Sequence, residues 1–432
     1  MKLLFLHQNF PGQYLHILRR HIREGVHDLL FLSQPNTNSL AGVRKMEYPL
    51  VRAPLKQADP LLHDFDLAML RAQSVAARAR ELVKLGYEPD VILGHNGWGE
   101  LLHLREVWPR VPIIPYFEFY YHTSGLDVDF DPEFPMDADK RSQVRIRNAT
   151  NLLGLELATL GQVPTRFQGS TYPDWAQPKL RHVPEGVDLD LCKPDPGAEF
   201  AIGERRWRKG SGRRLVTYVS RNLEPYRGTH IVIRALPKLL AACPDVDVVL
   251  VGGDSVSYGA APAGGGSWKD RFLAELDAPL DPERVFFPGK IPYDSFRAML
   301  QASSLHLYLT YPFVASWSLR EALASGCTIL GSDVGPVQEF VTHGETGMLF
   351  PFLRHDLLAE AAIDLLADPA QAARLGARAR AWAEAHLTLD ETHRTMHAVM
   401  EEAIALEGSA RQGFPAPRRS AKKRAGTRSS AG

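Results

Sequence analysis

Apolar residues in this chain come in short unbroken blocks, each ending on a polar or glycine-bearing turn. Between the blocks the apolar spacing switches to the three-to-four interval of a helix. The blocks at 3–6, 29–32, 91–94, 111–116, 151–155 and 179–183 read as one series of strands. Those at 215–219, 246–251, 285–287, 305–309, 328–330 and 348–350 read as a second. Unbroken apolar strands are buried on both faces, as in parallel sheets. Amphipathic spacing predicts helices over 14–23, 67–85, 139–149, 316–324, 354–386 and 389–406. The strand at 305–309 must stop at Tyr311-Pro312, because proline cannot donate to a ladder. Gly326 sits where a glycine closes a helix.

Two such series predict α/β architecture, with two doubly wound, Rossmann-like domains facing across a cleft. Residues 1–192 form the first domain and 213–387 the second. Residues 193–212 are rich in proline, glycine and charge and read as the linker. Residues 260–267 read as an insertion loop, and the acidic, proline-bearing run 127–138 as another loop. From 409 to 432 the chain is basic, low in complexity and expected to be disordered.

Composition narrows the classes. The chain has 432 residues, 45% apolar and 23% charged, with formal net charge zero. That zero hides seven Lys or Arg and no acid within 411–432, leaving 43 basic against 50 acidic residues elsewhere. A nucleic-acid binder is therefore not expected, while the tail could aid peripheral contact with an anionic membrane face. Cys192, Cys243 and Cys327 have no metal or disulfide spacing and fit a reducing compartment. No apolar window is long enough to span a bilayer, and the N-terminal apolar run is too short for a signal peptide. A cytoplasmic location is expected.

The candidate chemistry sits at strand ends. In the first series these are His95-Asn96-Gly97-Trp98 and Phe117-Glu118-Phe119-Tyr120-Tyr121-His122. Polar groups interleaved with aromatic faces suit a carbohydrate, so His95, Asn96, Trp98 and Tyr121 are acceptor candidates. In the second series Arg221 and Arg227 follow one strand, two cations suited to a diphosphate. Gly252 and Gly253 end another and permit close backbone approach. A helix opening at Ser316, Trp317, Ser318 and Leu319 would offer amides to an anion. Ser318 and Glu321 also have the spacing of a capping box, which would make Glu321 a purely structural group. Arg141, Arg145 and Arg147 form either a solvated helix face or a face toward an acidic acceptor or membrane. Three Asp-x-Asp triplets, at 127–129, 188–190 and 245–247, are mostly what chance gives an aspartate-rich chain, Asp245 and Asp247 precede a strand instead of ending one, and no metal is expected.

The stretch TYPFVASWSLREALASG, with MKLLFLHQNFPGQYLHIL and RNLEPYRGTHIVIRALP, resembles the retaining GT-B glycosyltransferases of family 4, in a bacterial subgroup. That family carries two Glu with seven residues between them at its donor site. Glu321 stands at the second position, and Phe313 occupies the first. The resemblance implies transfer of a sugar from a nucleotide-sugar donor to a glycan, lipid-linked or small-molecule acceptor, with retention and without a metal cofactor. It assigns Arg221 and Arg227, in the place of an Arg and a Lys, to the donor diphosphate. Glu321 falls to the ribose, Lys290 and Ile291 to the base through backbone, and the Gly12 turn to the donor or acceptor side. Phe313 cannot accept hydrogen bonds, so Ser316 or backbone must hold the donor sugar. A catalytic histidine of the family aligns with Glu118 or His122, and sequence does not separate the two. The Pro184-Glu-Gly-Val-Asp188 turn closes the first domain, and a helix over 388–408 is expected to cross back to it. Two alternatives are a nucleotide-sugar binder without transfer, suggested by Phe313, and a sugar-nucleotide isomerase of the same architecture.

Overall fold

The computed structural model of the protein describes residues 1–55, 59–210 and 212–413. The first sheet holds β1 (Lys2–Leu6), β2 (Asp28–Ser33), β3 (Arg44–Glu47), β4 (Val91–His95), β5 (Ile113–Tyr116), β6 (Gly161–Val163) and β7 (Leu180–His182). All pairs are parallel, in the order β3-β2-β1-β4-β5-β6-β7. Successive side chains of a strand point to opposite faces, and both faces here are apolar. Leu3 and Phe5 pack with Ile17 and Leu18 of the helix Leu15–Glu24 and with Met396, Val399 and Met400 of the helix Leu389–Gly413. Leu4 and Leu6 pack on the other face with Ala72, Val75 and Ala79 of the helix His63–Lys84. The final helix therefore does cross back to the first sheet, held there also by Arg181–Glu402 (2.5 Å) and Arg105–Glu407 (2.7 Å).

The second sheet holds β10 (Arg214–Asn222), β11 (Val246–Gly253), β12 (Val285–Gly289), β13 (Leu305–Tyr308), β14 (Ile329–Ser332) and β15 (Met348–Phe350). Its order is β12-β11-β10-β13-β14-β15, again all parallel. Between the sheets lie β8 (Phe200–Ile202) and β9 (Arg205–Trp207), an antiparallel pair. The segment expected to be a linker is thus partly structured. Phe200 and Trp207 stack at 5.6 Å in the second domain's core, and the Trp207 indole donates to Asp247 at 2.9 Å. Charge and proline hid two aromatic anchors, each three residues from the turn at 203–204.

Two further expectations change. Residues 151–155 are not a strand but part of the helix Ala138–Leu157, and the strand is β6. A short apolar run cannot tell strand from buried helix, and here Asn151 turns inward to donate to the Phe119 carbonyl at 2.9 Å. Residues 409–413 continue the last helix, while the rest of the basic tail lies outside the described residues.

The acidic loop between β5 and that helix reaches across to the second domain. Phe134 sits edge-on to Trp268 at 5.1 Å, and Phe130 packs against Tyr311 at 5.2 Å. Asp131, 3% exposed, accepts from His230 (2.9 Å) and Tyr311 (3.0 Å). Glu133 takes both ends of the Arg234 fork at 2.7 Å. The two domains meet through this strap as well as at the cleft.

Candidate active site

In an open parallel sheet, ligands bind beyond the carboxyl ends of the strands where the strand order reverses. The reversal lies between β1 and β4 in the first sheet and between β10 and β13 in the second. The chemistry-bearing side chains collect at both points.

In the first domain His7 follows β1 and His95 ends β4, and their rings meet edge-on at 5.4 Å. The His7 Nδ1 accepts from the Asn9 amide at 2.9 Å, and burial beside His95 pushes its pKa down to about 3, so the ring is neutral. Gly12, at φ 55°, lies against this ring: a Cβ there would stand 2.6 Å from the His7 Cγ. Gly12 therefore shapes the His7 pocket. The His95 Nδ1 accepts from the Gly97 amide at 3.1 Å, which leaves Nε2 to carry the hydrogen. That nitrogen lies 3.8 Å from the Glu118 carboxylate. Burial pushes Glu118 up, but His95 beside it and Arg227 of the other domain more than offset it and hold the carboxyl below its ordinary range. His95 is also stacked between Trp98 (5.5 Å) and Tyr116 (5.3 Å).

Glu118 and His122 are thereby separated by geometry. His122 donates Nε2–H to the Thr171 carbonyl at 2.7 Å and packs on Tyr120. Glu118 joins the histidine pair and feels the cation of the other domain. Asn96 is 1% exposed and donates to the Thr150 carbonyl at 3.0 Å, so it braces the helix behind it. Trp98 stays partly open, with Arg71 over its ring at 5.7 Å. The Tyr121 ring lies between Phe119 (5.6 Å) and Arg147 (5.8 Å). Arg141 pairs with Asp129 and Arg147 with Asp64, while Arg145 is exposed.

In the second domain Arg227 bridges the switch point itself. Its Nη1 donates to Thr310 Oγ1 (2.8 Å) and the Val314 carbonyl (2.9 Å), beyond the end of β13. Its guanidinium lies 4.8 Å from the Tyr258 ring centre. Arg227 is 5% exposed, and no carboxylate lies within ion-pair distance among the described residues. A buried cation without an ion partner is costly and marks a place for an anion. Arg221 is exposed at the mouth, as is Lys290, whose Cε would lie 2.9 Å from a Cβ at Gly253. A Cβ at Gly252 would press on Leu223 at 2.9 Å, so that glycine permits β10–β11 packing. Ile291 is half-buried beside them.

The helix Trp317–Ala324 points its amino end into the same space. Ser316 is its N-cap but makes no side-chain capping bond, so the first amides stay open to a ligand. Ser316 and Ser318 share a hydroxyl contact at 2.5 Å. Glu321 takes the Tyr293 hydroxyl at 2.7 Å, so the capping box is not formed. Burial raises the Glu321 carboxyl, and Tyr293 and Arg320 partly counter it. Leu319 is fully buried beneath.

Phe313 is 5% exposed and stands among Phe119 of the first domain (4.7 Å), Tyr258 (5.4 Å) and Tyr226 (5.7 Å). The residue at the usual acidic position here packs the interdomain seam.

Two positions carry more than their sequence context suggested. The Glu224 carboxylate, fully buried, accepts from the amides of Ser257 (3.0 Å), Tyr258 (3.2 Å) and Gly259 (3.3 Å), which fixes Tyr258 over Arg227. Glu185 accepts from Tyr116 (3.0 Å) and the Trp317 indole (2.9 Å) and faces Arg320 at 3.4 Å. It ties the first domain to the helix start. Both were visible only as members of turns, and a carboxylate's partners across a fold leave no local signal.

Two doubly wound domains whose switch points face one another constitute the GT-B architecture. Residues 25–192 match the model "Glycosyl transferase family 4 group" and residues 203–382 the model "Glycosyl transferases group 1". The chain belongs to this family of glycosyltransferases. It is 30% identical over 226 residues to a GDP-mannose-dependent alpha-(1-6)-phosphatidylinositol monomannoside mannosyltransferase of Mycolicibacterium smegmatis, covering 51% of this chain and 54% of that protein. It thus spans about half the length of the curated relatives it matches. Among solved structures, the sucrose-phosphate synthase of Thermosynechococcus elongatus superposes with TM-score 0.68 at 18% identity, over 94% of this chain and 99% of that one. Anabaena HepE in complex with UDP gives 0.64 at 17%, over 93% and 100%. Among the described residues no helix is long and apolar enough to cross a membrane.

Proposed function

We propose that this protein transfers a sugar from a nucleotide-sugar donor to a glycan, lipid-linked or small-molecule acceptor, with retention, in cell-envelope or exopolysaccharide synthesis on the cytoplasmic side. The observation that carries the reading is Arg227, a buried cation without an ion pair at the second domain's switch point, opposite an ionised Glu118.

In this reading the donor diphosphate lies between Arg227, Arg221 and the amides opening the helix Trp317–Ala324. Charge built on the departing phosphate meets fixed donors in a water-poor cleft. Glu321 accepts from ribose hydroxyls, and the base lies against the backbone near Lys290 and Ile291. The acceptor enters along His7, His95, Trp98 and Tyr121. Its hydroxyl oxygen bonds to the anomeric carbon as the bond from that carbon to phosphate oxygen breaks on the same face. The leaving phosphate takes the hydroxyl proton. Glu118 holds negative charge near the carbon that becomes cationic, with the His95 Nε2 facing it at 3.8 Å. Ser316 hydroxyl and backbone groups bind the donor sugar in place of the absent first acid.

A divalent ion is not required in this scheme. Of the six triplet aspartates, Asp129 pairs with Arg141, Asp245 with Arg214 and Asp247 with Arg213. The relatives' GDP-mannose and the UDP of the structural neighbour leave two bases to test. Nucleoside diphosphate release from a panel of GDP- and UDP-sugars, with and without candidate acceptors, tests the reading. Release that depends on acceptor supports transfer. Binding without release in every pairing would make the protein a binder, and epimer formation without acceptor would make it an isomerase.

A further inference from the structure

On the face of the first domain away from the cleft, the helix Leu15–Glu24 ends in the sequence His21-Ile-Arg-Glu24-Gly-Val-His27. The helix places His21 and Glu24 one turn apart, on one face. Gly25 then takes a left-handed turn, φ 66°, and swings His27 back over the same spot. His21 Nδ1 lies 3.2 Å and His27 Nε2 3.9 Å from the same oxygen, Glu24 Oε2. The three ligand atoms lie within 4.8 Å of one another. The two imidazoles meet edge-on at 4.7 Å.

From these residues we infer a site for a borderline divalent transition ion, with Zn²⁺ as the fitting case, held by His21, Glu24 and His27. Tetrahedral ligands with bonds of about 2.1 Å stand about 3.4 Å apart, so the observed triangle needs only modest contraction. Two imidazoles and one carboxylate are a set zinc accepts, with water in the fourth position. Arg20 holds the other Glu24 oxygen at 2.7 Å and orients the carboxylate.

The far side of the His21 ring faces the last helix. His21 is 4% exposed, and its Nε2 has no hydrogen-bond partner among the described residues. Its ring stands 6.2 Å from that of His393, on the helix Leu389–Gly413, whose Nε2 is also buried and unpartnered. With an ion on Nδ1, the His21 proton must sit on Nε2, on the ring that faces His393. The two rings meet edge-on, so His393 packs against His21 without a hydrogen bond between them. The ion would then fasten the crossing helix to the helix Leu15–Glu24, where Arg20 already pairs with Asp390 at 2.9 Å. The site is structural, lies apart from the cleft, and stands independently of the proposed transfer reaction.

The test uses the full chain, stripped with chelator, and titrated with Zn²⁺ by calorimetry and with Co²⁺ by visible absorbance. One equivalent should bind, with a Co²⁺ spectrum of four-coordinate intensity. His27→Gln, a half-buried position, should weaken Zn²⁺ by at least about 100-fold, since even outer-partner changes cost 10- to 100-fold. Zn²⁺ should also slow amide hydrogen exchange over 389–400 in the wild type and not in the variant. Equal Zn²⁺ affinity in the wild type and His27→Gln, or unchanged exchange in the last helix at saturation, would overturn the assignment.

Discussion

Substituting Phe313 by Glu restores the acid usual at that position in the family, and the structure predicts that the restoration fails. Phe313 is 5% exposed in a seam of four rings. Losing its burial costs about 2–3 kcal/mol. Its three aromatic pairs contribute about 0.5–1.5 kcal/mol each beyond area. Burying a carboxylate there adds several kcal/mol, only partly offset by Arg227. The sum exceeds about 5 kcal/mol, the range reserved for severe core lesions. At about 2–4 °C per kcal/mol for a domain of this size, the midpoint should fall by at least about 10 °C in calorimetry. Phe313→Leu should cost about 1–2 kcal/mol. Because Phe119 comes from the other domain, a double-mutant cycle of Phe119→Leu and Phe313→Leu should give a coupling of about 0.5–1.5 kcal/mol. A Phe313→Glu protein with wild-type midpoint and higher donor turnover would refute the packing role.

Glu224→Gln should leave turnover at saturating donor unchanged while weakening nucleoside diphosphate about fivefold, since Tyr258 loses its hold over Arg227 and a cation–π contact is worth about 1 kcal/mol; calorimetric titration measures this. Glu321→Gln keeps an oxygen for Tyr293, so the melting midpoint should move little, while donor KM rises about tenfold if ribose binds there. An unchanged KM would return Glu321 to a structural role. His306 is fully buried and burial pushes its pKa down to about 4 from an ordinary 6.5. The unfolded chain therefore takes up this proton first, so stability present above pH 6.5 should fall by roughly 3 kcal/mol as pH drops to about 4. Urea midpoints between pH 7 and 4 should show the slope, and His306→Gln should flatten it.

The strands were legible where apolar runs were long and their turns marked. The runs 215–219 of β10 and 246–251 of β11 and the helix start near Trp317 needed no tertiary information. Where an apolar run was short, as at 151–155, burial of Asn151 decided between helix and strand, and no periodicity encodes that. The hairpin around 203–204 was hidden because its two aromatics sit among six charges. At the site, Arg227 and Glu321 were legible as strand-end and helix-start residues. His7, Glu185 and Glu224 were not, because their partners lie 69 or more residues away for Tyr116–Glu185, and more than 30 for Glu224–Ser257. The capping box at Ser318 had the right spacing and lost to a tyrosine from another helix.

The central claim is that Arg227 is the buried cation that receives the donor diphosphate. Its most direct test is calorimetric titration of wild type, Arg227→Ala and Arg227→Lys with GDP and UDP. A hydrogen bond to a charged group contributes about 1.5–3 kcal/mol. Arg227→Ala should therefore bind the preferred nucleotide roughly 10- to 150-fold more weakly, with Arg227→Lys in between. Exposed Arg221→Ala should lose no more than about fivefold, because solvent screens it. Wild-type affinity in folded Arg227→Ala would contradict the assignment of the cleft.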